Sequence, residues 1–355
     1  MGLEHSPFTI GRGQRGEKNL ITDVSGVLVG HVTLHQGDNI RTGVTCIKPH
    51  GGNLFADKVM AASFVFNGYG KTAGLVQVDE LGTIETPIIL TNTLSVGTAM
   101  TATVRYMMEQ NPDIGGSAGT VNALVAECND GSLNDIRGLH VTEAHVREAI
   151  DTCADTFEEG AVGAGTGMCC LGFKGGIGSA SRILSIDGQN YTVGALVLTN
   201  FGSRGRLMID GRQIGREIAE RDNAADKGSI IMIVATDAPL SERQLRRVAK
   251  RAGVGLSRAG SYMGNGSGDV AIAFTTATRV PHVTEKAVQH FDALHDNFID
   301  PIFDMTAEAV EEAIVSALWH AKTTTGKDGA CVRGLREVWE EMQKGDSIDQ
   351  SISKC

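Results

Sequence analysis

Apolar residues along this chain gather in short runs closed off by glycine, not in long stripes. Val27–Val29, Phe64–Phe66, Val193–Leu198, Ile230–Thr236 and Val270–Thr275 are such runs, rich in β-branched residues, and they predict strands. Three stretches carry helical spacing instead. Thr142 caps one, with Val146, Ile150, Cys153 and Phe157 on a single face. Ser241 and Gln244 form an S-x-x-Q capping box ahead of Leu245 and Val248, with Gly253 as the expected stop. Thr306 opens a third, with Val310, Ile314 and Leu318 inward. Strands and helices interleave, so the class is α/β or α+β. A sheet sandwich covered by helices fits this pattern, and periodicity alone leaves it open.

One segment breaks the pattern. Ile218 to Gly228 reads IAERDNAADKG, charged and small, without apolar periodicity, and it predicts an exposed loop. It runs directly into SIIMIVATDAPL, a strongly apolar strand. A cut between Gly228 and Ser229 would leave Ser229 as a new N-terminus anchored by its strand. Taken by itself a Gly-Ser pair before a strand is also an ordinary turn.

Composition narrows the chemistry. The 355 residues carry a formal charge of -10, which disfavours binding to a nucleic-acid backbone. The basic stretch Arg243 to Arg251 reads as a solvated helix face. The odd count of seven cysteines at irregular spacing, without C-x-x-C, argues for free thiols in a reducing compartment and against a zinc site. Cys128 reads as a core thiol, with exposure to substrate beside Asn129 as the alternative. No H-E-x-x-H occurs, and no metal or cofactor is expected. The glycine-rich stretch from Gly160 to Gly178 lacks the G-K-[ST] of a phosphate loop and reads as tight turns walling a pocket. Neither a signal peptide nor a membrane-spanning run is visible, so the expectation is a cytoplasmic protein away from the membrane.

Several segments together resemble the DmpA family of L-aminopeptidase/D-esterases and β-peptidyl aminopeptidases, peptidase family S58. They include NLITDVSGVLVGHVTL (19–34), AASFVFNGYGKTAG (61–74), ETPIILTNTLSVGTA (85–99) and VAECNDGSLNDI (125–136). EEGAVGAGTGMCCLGFKGGIGSASR (158–182), VLTNFGSR (197–204), the stretch 228–261 and NGSGDVAIAFTTA (265–277) follow in the family's order. The resemblance implies an α/β protein with a four-layer αββα sandwich. It also implies a precursor that cleaves itself into 1–228 and 229–355, two pieces that stay together and assemble into homo-oligomers. Such proteins release N-terminal residues from small peptides, amides or esters.

The same resemblance assigns roles. Ser229 matches the family nucleophile. Once exposed as an N-terminus it carries its own base, because a free α-amine has a pKa of about 7.7–8.0. Gly228 would leave the scissile carbonyl sterically open. Ser267 and Asp269 match the family's Ser-x-Glu pair, with Asp269 one methylene shorter than the family's glutamate. Asn200 matches the asparagine of the oxyanion hole, a donor worth roughly 2.7–4 kcal/mol of barrier. Asn129 stands where tyrosine is associated with the aminopeptidase/D-esterase type, so transition-state help or substrate range differs there. Glu127 is the candidate for holding the substrate's ammonium, with a structural acid as the equal alternative. Two rival readings stay open: an acyltransferase of the ornithine-acetyltransferase architecture, and a catalytically silent relative of the fold.

Overall fold

The structure is a computed structural model that describes residue 3, residues 6–218 and residues 228–344. The loop expected before Gly228 lies, from 219 to 227, outside the described residues. In chain order the strands are β1 (Leu28–Gln36), β2 (Ile40–Lys48), β3 (Asp57–Gly68), β4 (Thr83–Ile84), β5 (Ile88–Asn92), β6 (Leu124–Cys128), β7 (Cys169–Cys170), β8 (Phe173–Lys174), β9 (Ile177–Ile186), β10 (Gln189–Asn200), β11 (Gly228–Thr236), β12 (Ser267–Pro281), β13 (Thr324–Thr325) and β14 (Cys331–Val332). The helices are α1 (Leu75–Leu81), α2 (Val96–Gln110), α3 (Glu143–Asp151), α4 (Ile214–Ile218), α5 (Glu242–Arg258), α6 (Asp300–His320) and α7 (Leu335–Gln343).

Two sheets face each other. One has the order β1-β2-β5-β6 and the other β4-β3-β12-β11-β10-β9. The two-residue period of β11 shows how the layers bind: Ile231, Ile233 and Ala235 enter the core between the sheets, whereas Ile230, Met232 and Val234 enter a second core. That second core holds Val248 and Ala252 of α5 with Val310 and Ile314 of α6. On the far side, Val44, Ile89 and Val125 of the smaller sheet pack on Ala99 of α2 and on Val146 and Ile150 of α3. The result is a four-layer αββα sandwich. Each of the valine, isoleucine and methionine side chains among these contributes about 1.5–3 kcal/mol by leaving water.

Several elements depart from the expected bounds, for physical reasons. Helix α5 does not stop at Gly253. A Cβ there would sit 2.4 Å from the Phe66 ring, so this glycine serves close packing of α5 on β3, and the helix closes at Gly260 with φ +112°. Helix α3 ends at Asp151, which leaves Cys153 and Phe157 beyond it. Helix α6 begins at Asp300, ahead of Thr306, with proline in its first turn. A buried clamp ties α6 to β9: Arg182 donates through Nε to Glu308 (3.0 Å) and through a terminal nitrogen to Glu312 (2.6 Å).

Cys46, Cys128, Cys153, Cys169 and Cys170 are free thiols, as expected, whereas Cys331 is disulfide-bonded. Among the described residues no helix is long and apolar enough to cross a membrane.

Candidate active site

The central strands of the larger sheet place the nucleophile candidate. Strand β11 runs antiparallel to β10, which sets Asn200 opposite Ser229, and parallel to β12, which sets Gly268 opposite Ser229. Ser229 is 8% exposed, and the Gly268 N–H donates to its Oγ at 3.2 Å. Gly268 has to be glycine: a Cβ would meet the Gly70 nitrogen at 2.7 Å and Ser229 Oγ at 3.1 Å. Gly228 is constrained more severely. Its φ is +130°, and a Cβ would lie 1.8 Å from the Asn200 carbonyl oxygen.

Ser267 and Asp269 flank Gly268 on the same strand, both buried, and Ser267 Oγ donates to Asp269 Oδ1 at 2.6 Å. The shorter aspartate therefore reaches its serine directly. The turn before them is held by Asn67, whose amide donates to the carbonyls of Gly264 (3.2 Å), Asn265 (3.1 Å) and Ser267.

Asn200 ends β10 with its side chain fixed at both ends. Oδ1 accepts from the Cys169 N–H at 3.0 Å, and Nδ2 donates to the Asn129 carbonyl at 2.9 Å. An amide nitrogen has two hydrogens, so one remains for a developing oxyanion. Asn129 thus contributes its main chain, while its side-chain oxygen accepts from the Gly131 N–H at 2.9 Å and closes a turn. That main-chain contact does not depend on which side chain stands at this position.

Glu127 on β6 is buried, accepting from the Lys71 N–H at 2.7 Å through Oε1 and from the Thr93 hydroxyl through Oε2. Only a glycine's thickness separates it from the nucleophile's neighbours: a Cβ on Gly70 would be 3.4 Å from Glu127 Oε1 and 3.6 Å from the Gly268 Cα. Cys128 is fully buried. Burial first, and then the nearby carboxylates of Glu127 and Asp269, push its thiol well above the usual range, which makes it inert packing. The seven residues singled out in the sequence, Gly228, Ser229, Ser267, Asp269, Asn200, Asn129 and Glu127, therefore converge.

Four contributors carried no sequence signal that set them apart: Asn67, Thr93, and the main-chain N–H groups of Lys71 and Cys169. Each acts through a placement that only the tertiary fold creates. The spacing His31-x-x-x-His35, which would suit a metal on a helix, falls on β1 instead. Among the described residues no group of three or more His, Cys, Asp and Glu side chains is placed to hold a metal.

The chain and its fold are similar to those of known proteins. A family model described as peptidase family S58 matches residues 19–332. A β-peptidyl aminopeptidase BapA of Sphingosinicella microcystinivorans is 39% identical over 348 residues, covering 91% of this chain and 87% of that protein. A crystal structure of a Pyrococcus horikoshii protein superposes with a TM-score of 0.92 at 54% identity, covering 97% and 99% of the two chains. The L-aminopeptidase D-Ala-esterase/amidase of Ochrobactrum anthropi, described as a variant of the Ntn hydrolase fold, superposes with a TM-score of 0.87 at 36% identity, covering 95% and 97%. These matches support a serine aminopeptidase and give no support to the acyltransferase alternative. On a family match spanning most of its length, the chain belongs to peptidase family S58.

Proposed function

We propose that the chain is a self-processing aminopeptidase that cuts itself between Gly228 and Ser229 and then uses Ser229 as an N-terminal nucleophile. The observation that carries this reading is the meeting of Ser229, Asn200 and Gly268 on three adjacent strands. In the precursor Ser229 Oγ attacks the Gly228 carbonyl, the acyl shift breaks the Gly228–Ser229 amide and frees the Ser229 amine, and water hydrolyses the resulting ester to a Gly228 carboxylate and the Ser229 hydroxyl. That amine then accepts the hydroxyl proton when Ser229 attacks a substrate carbonyl. Asn200 donates to the oxyanion, Glu127 holds the substrate's ammonium, and the Ser267–Asp269 pair orients the nucleophile and its amine. The substrates are small peptides, amides or esters with a free N-terminus, and the relatives' names extend this to β-amino residues. The processed pieces, 1–228 and 229–355, stay together and assemble as a homo-oligomer.

A denaturing gel tests the proposal. Wild-type protein should give two bands, with the smaller beginning SIIMIV on N-terminal sequencing, and Ser229→Ala should give one. Wild-type protein that stays intact and still hydrolyses amides would sink the mechanism. Light scattering under native conditions should give a mass well above one processed chain.

A further inference from the structure

The loop behind Asn200 contains a buried cation that none of the roles above uses. Lys174 closes the β7–β8 hairpin and is fully buried. Its Nζ donates to the carbonyls of Met168 (2.7 Å), Gly175 (2.8 Å) and Gly165 (3.0 Å). An ammonium has three hydrogens, and three carbonyls take them. Burial lowers this ammonium to about 8, while the facing groups Cys169, Asp130 and Cys170 raise it, so it remains charged at pH 7.

One of those carbonyls has a particular neighbour. The Met168 oxygen and the Cys169 N–H belong to the same planar peptide group. The oxygen takes the Lys174 bond, and the N–H donates to Asn200 Oδ1 at 3.0 Å. A continuous path therefore runs from the ammonium, through one peptide, to the side-chain amide beside Ser229. Hydrogen bonds in such a chain polarise one another. A positive charge at the far end draws electrons from the Asn200 carbonyl and makes its Nδ2 hydrogens better donors. The bond to Oδ1 also fixes which end of the amide faces the oxyanion. Neutral donors could satisfy the same three carbonyls, and burying a charge is costly even in favourable surroundings. A charge kept here is one that is used.

We infer that Lys174 is a positioning residue for the oxyanion site, orienting and polarising Asn200 through the Met168–Cys169 peptide group. The inference rests on the reading of Asn200 as the oxyanion donor. It predicts that Lys174 acts on the transition state and not on substrate affinity.

A double-mutant cycle on the processed enzyme tests it, with a small-residue p-nitroanilide as substrate. Lys174→Met should lower kcat about tenfold to a hundredfold, part of the hundredfold or more expected for an oxyanion donor, with KM within about threefold. Asn200→Ala should lower kcat by at least as much. In the Asn200→Ala background, Lys174→Met should change kcat by less than about threefold, because its route of action is gone. For variants that fold but mature slowly or in part, the same cycle is read on the rate of self-cleavage. If Asn200→Ala costs nothing, the oxyanion reading fails and this inference with it. If Asn200→Ala is costly but the two effects multiply, only the role of Lys174 is overturned. Lys174→Gln, which keeps two donors without the charge, should fold and should still lower kcat. If neither Lys174 variant folds, as judged by circular dichroism, the lysine is structural and the inference is overturned.

Discussion

The carbonyl oxygen of Asn200 occupies the place that a side chain on Gly228 would need, 1.8 Å from the ideal Cβ position. The residue before the nucleophile is thereby restricted to glycine by the strand that also carries the proposed oxyanion donor. Gly228→Ala brings both a clash with backbone and a left-handed φ, together worth roughly 1–3 kcal/mol or more of strain. Self-cleavage of this variant should slow by more than about tenfold, the factor that each 1.4 kcal/mol represents. The time course of precursor loss on a gel measures it, and a wild-type rate would show that the precursor's Gly228 adopts another conformation during the reaction.

Arg182 lies between two carboxylates in a core without access to water. Replacing it with methionine keeps the volume but removes the buried cation that both carboxylates share, leaving Glu312 with Arg15 (3.0 Å) and Glu308 with the N–H groups of Arg12 and Gly13, and removing one member of a buried ion group costs about 3–5 kcal/mol. The Arg182→Met protein should unfold at distinctly lower urea, with loss of contact between β9, α6 and the segment around Gly13, whose N–H also binds Glu308 at 2.9 Å. A double change with Glu312→Leu should recover part of that loss, and no recovery would assign the damage to packing alone.

Acid should weaken the fold through His31. Burial lowers its pKa from 6.5 to about 4, and its Nδ1 lies 2.9 Å from Thr45 Oγ1. A histidine with a depressed folded pKa stays neutral in the fold while the unfolded chain takes up a proton. Its stabilising effect is therefore present above about pH 6.5 and is lost as pH falls toward 4, amounting to roughly 2 kcal/mol at pH 5. Urea unfolding at pH 7 and pH 5 should show this loss in the wild type and a smaller one in His31→Gln. Equal losses in both proteins would assign the acid sensitivity to other groups.

Of the site, the local pattern marks only Gly228 and Ser229, where it changes abruptly; Ser267, Asp269, Asn200, Asn129 and Glu127 were assigned through the family resemblance, because a polar residue in a turn or at a strand end has no signal of its own. Ser229 stands at the junction of a charged loop and an apolar strand, and Ser267 and Asp269 in a glycine turn entering another. Strands β3, β10, β11 and β12 of the larger sheet were visible because glycine bounds them, whereas β4 and β9 were not. Strand β2 was not, because seven of its nine residues are buried and it shows no alternation. Helix α2 was hidden by its composition, VGTAMTATVRYMMEQ, in which small and β-branched residues blur the helical face. Asn67, Thr93 and Lys174 act through contacts 200, 34 and 6 residues away, and no spacing rule reports such partners.

The last prediction concerns Glu127, whose two readings the structure brings into contact. Its carboxylate accepts the Lys71 N–H and the Thr93 hydroxyl, which is structural work, yet it lies across Gly70 from the strand beside Ser229. Glu127→Gln separates these roles. The glutamine oxygen can still accept from Lys71, and its amide can donate to the Thr93 hydroxyl, which accepts as readily as it donates. The turn should therefore survive, and so should self-cleavage, because the Gly228–Ser229 bond presents no free amine. What disappears is the negative charge. A hydrogen bond from an ammonium to a carboxylate is worth about 1.5–3 kcal/mol. The variant should lose roughly tenfold to a hundredfold in kcat/KM on a free-amine p-nitroanilide. The N-acetylated twin, which offers no ammonium, should be a poor substrate for both proteins. Failure to fold or to process would make Glu127 structural. Normal processing with undiminished hydrolysis of the free-amine substrate would move the ammonium site elsewhere.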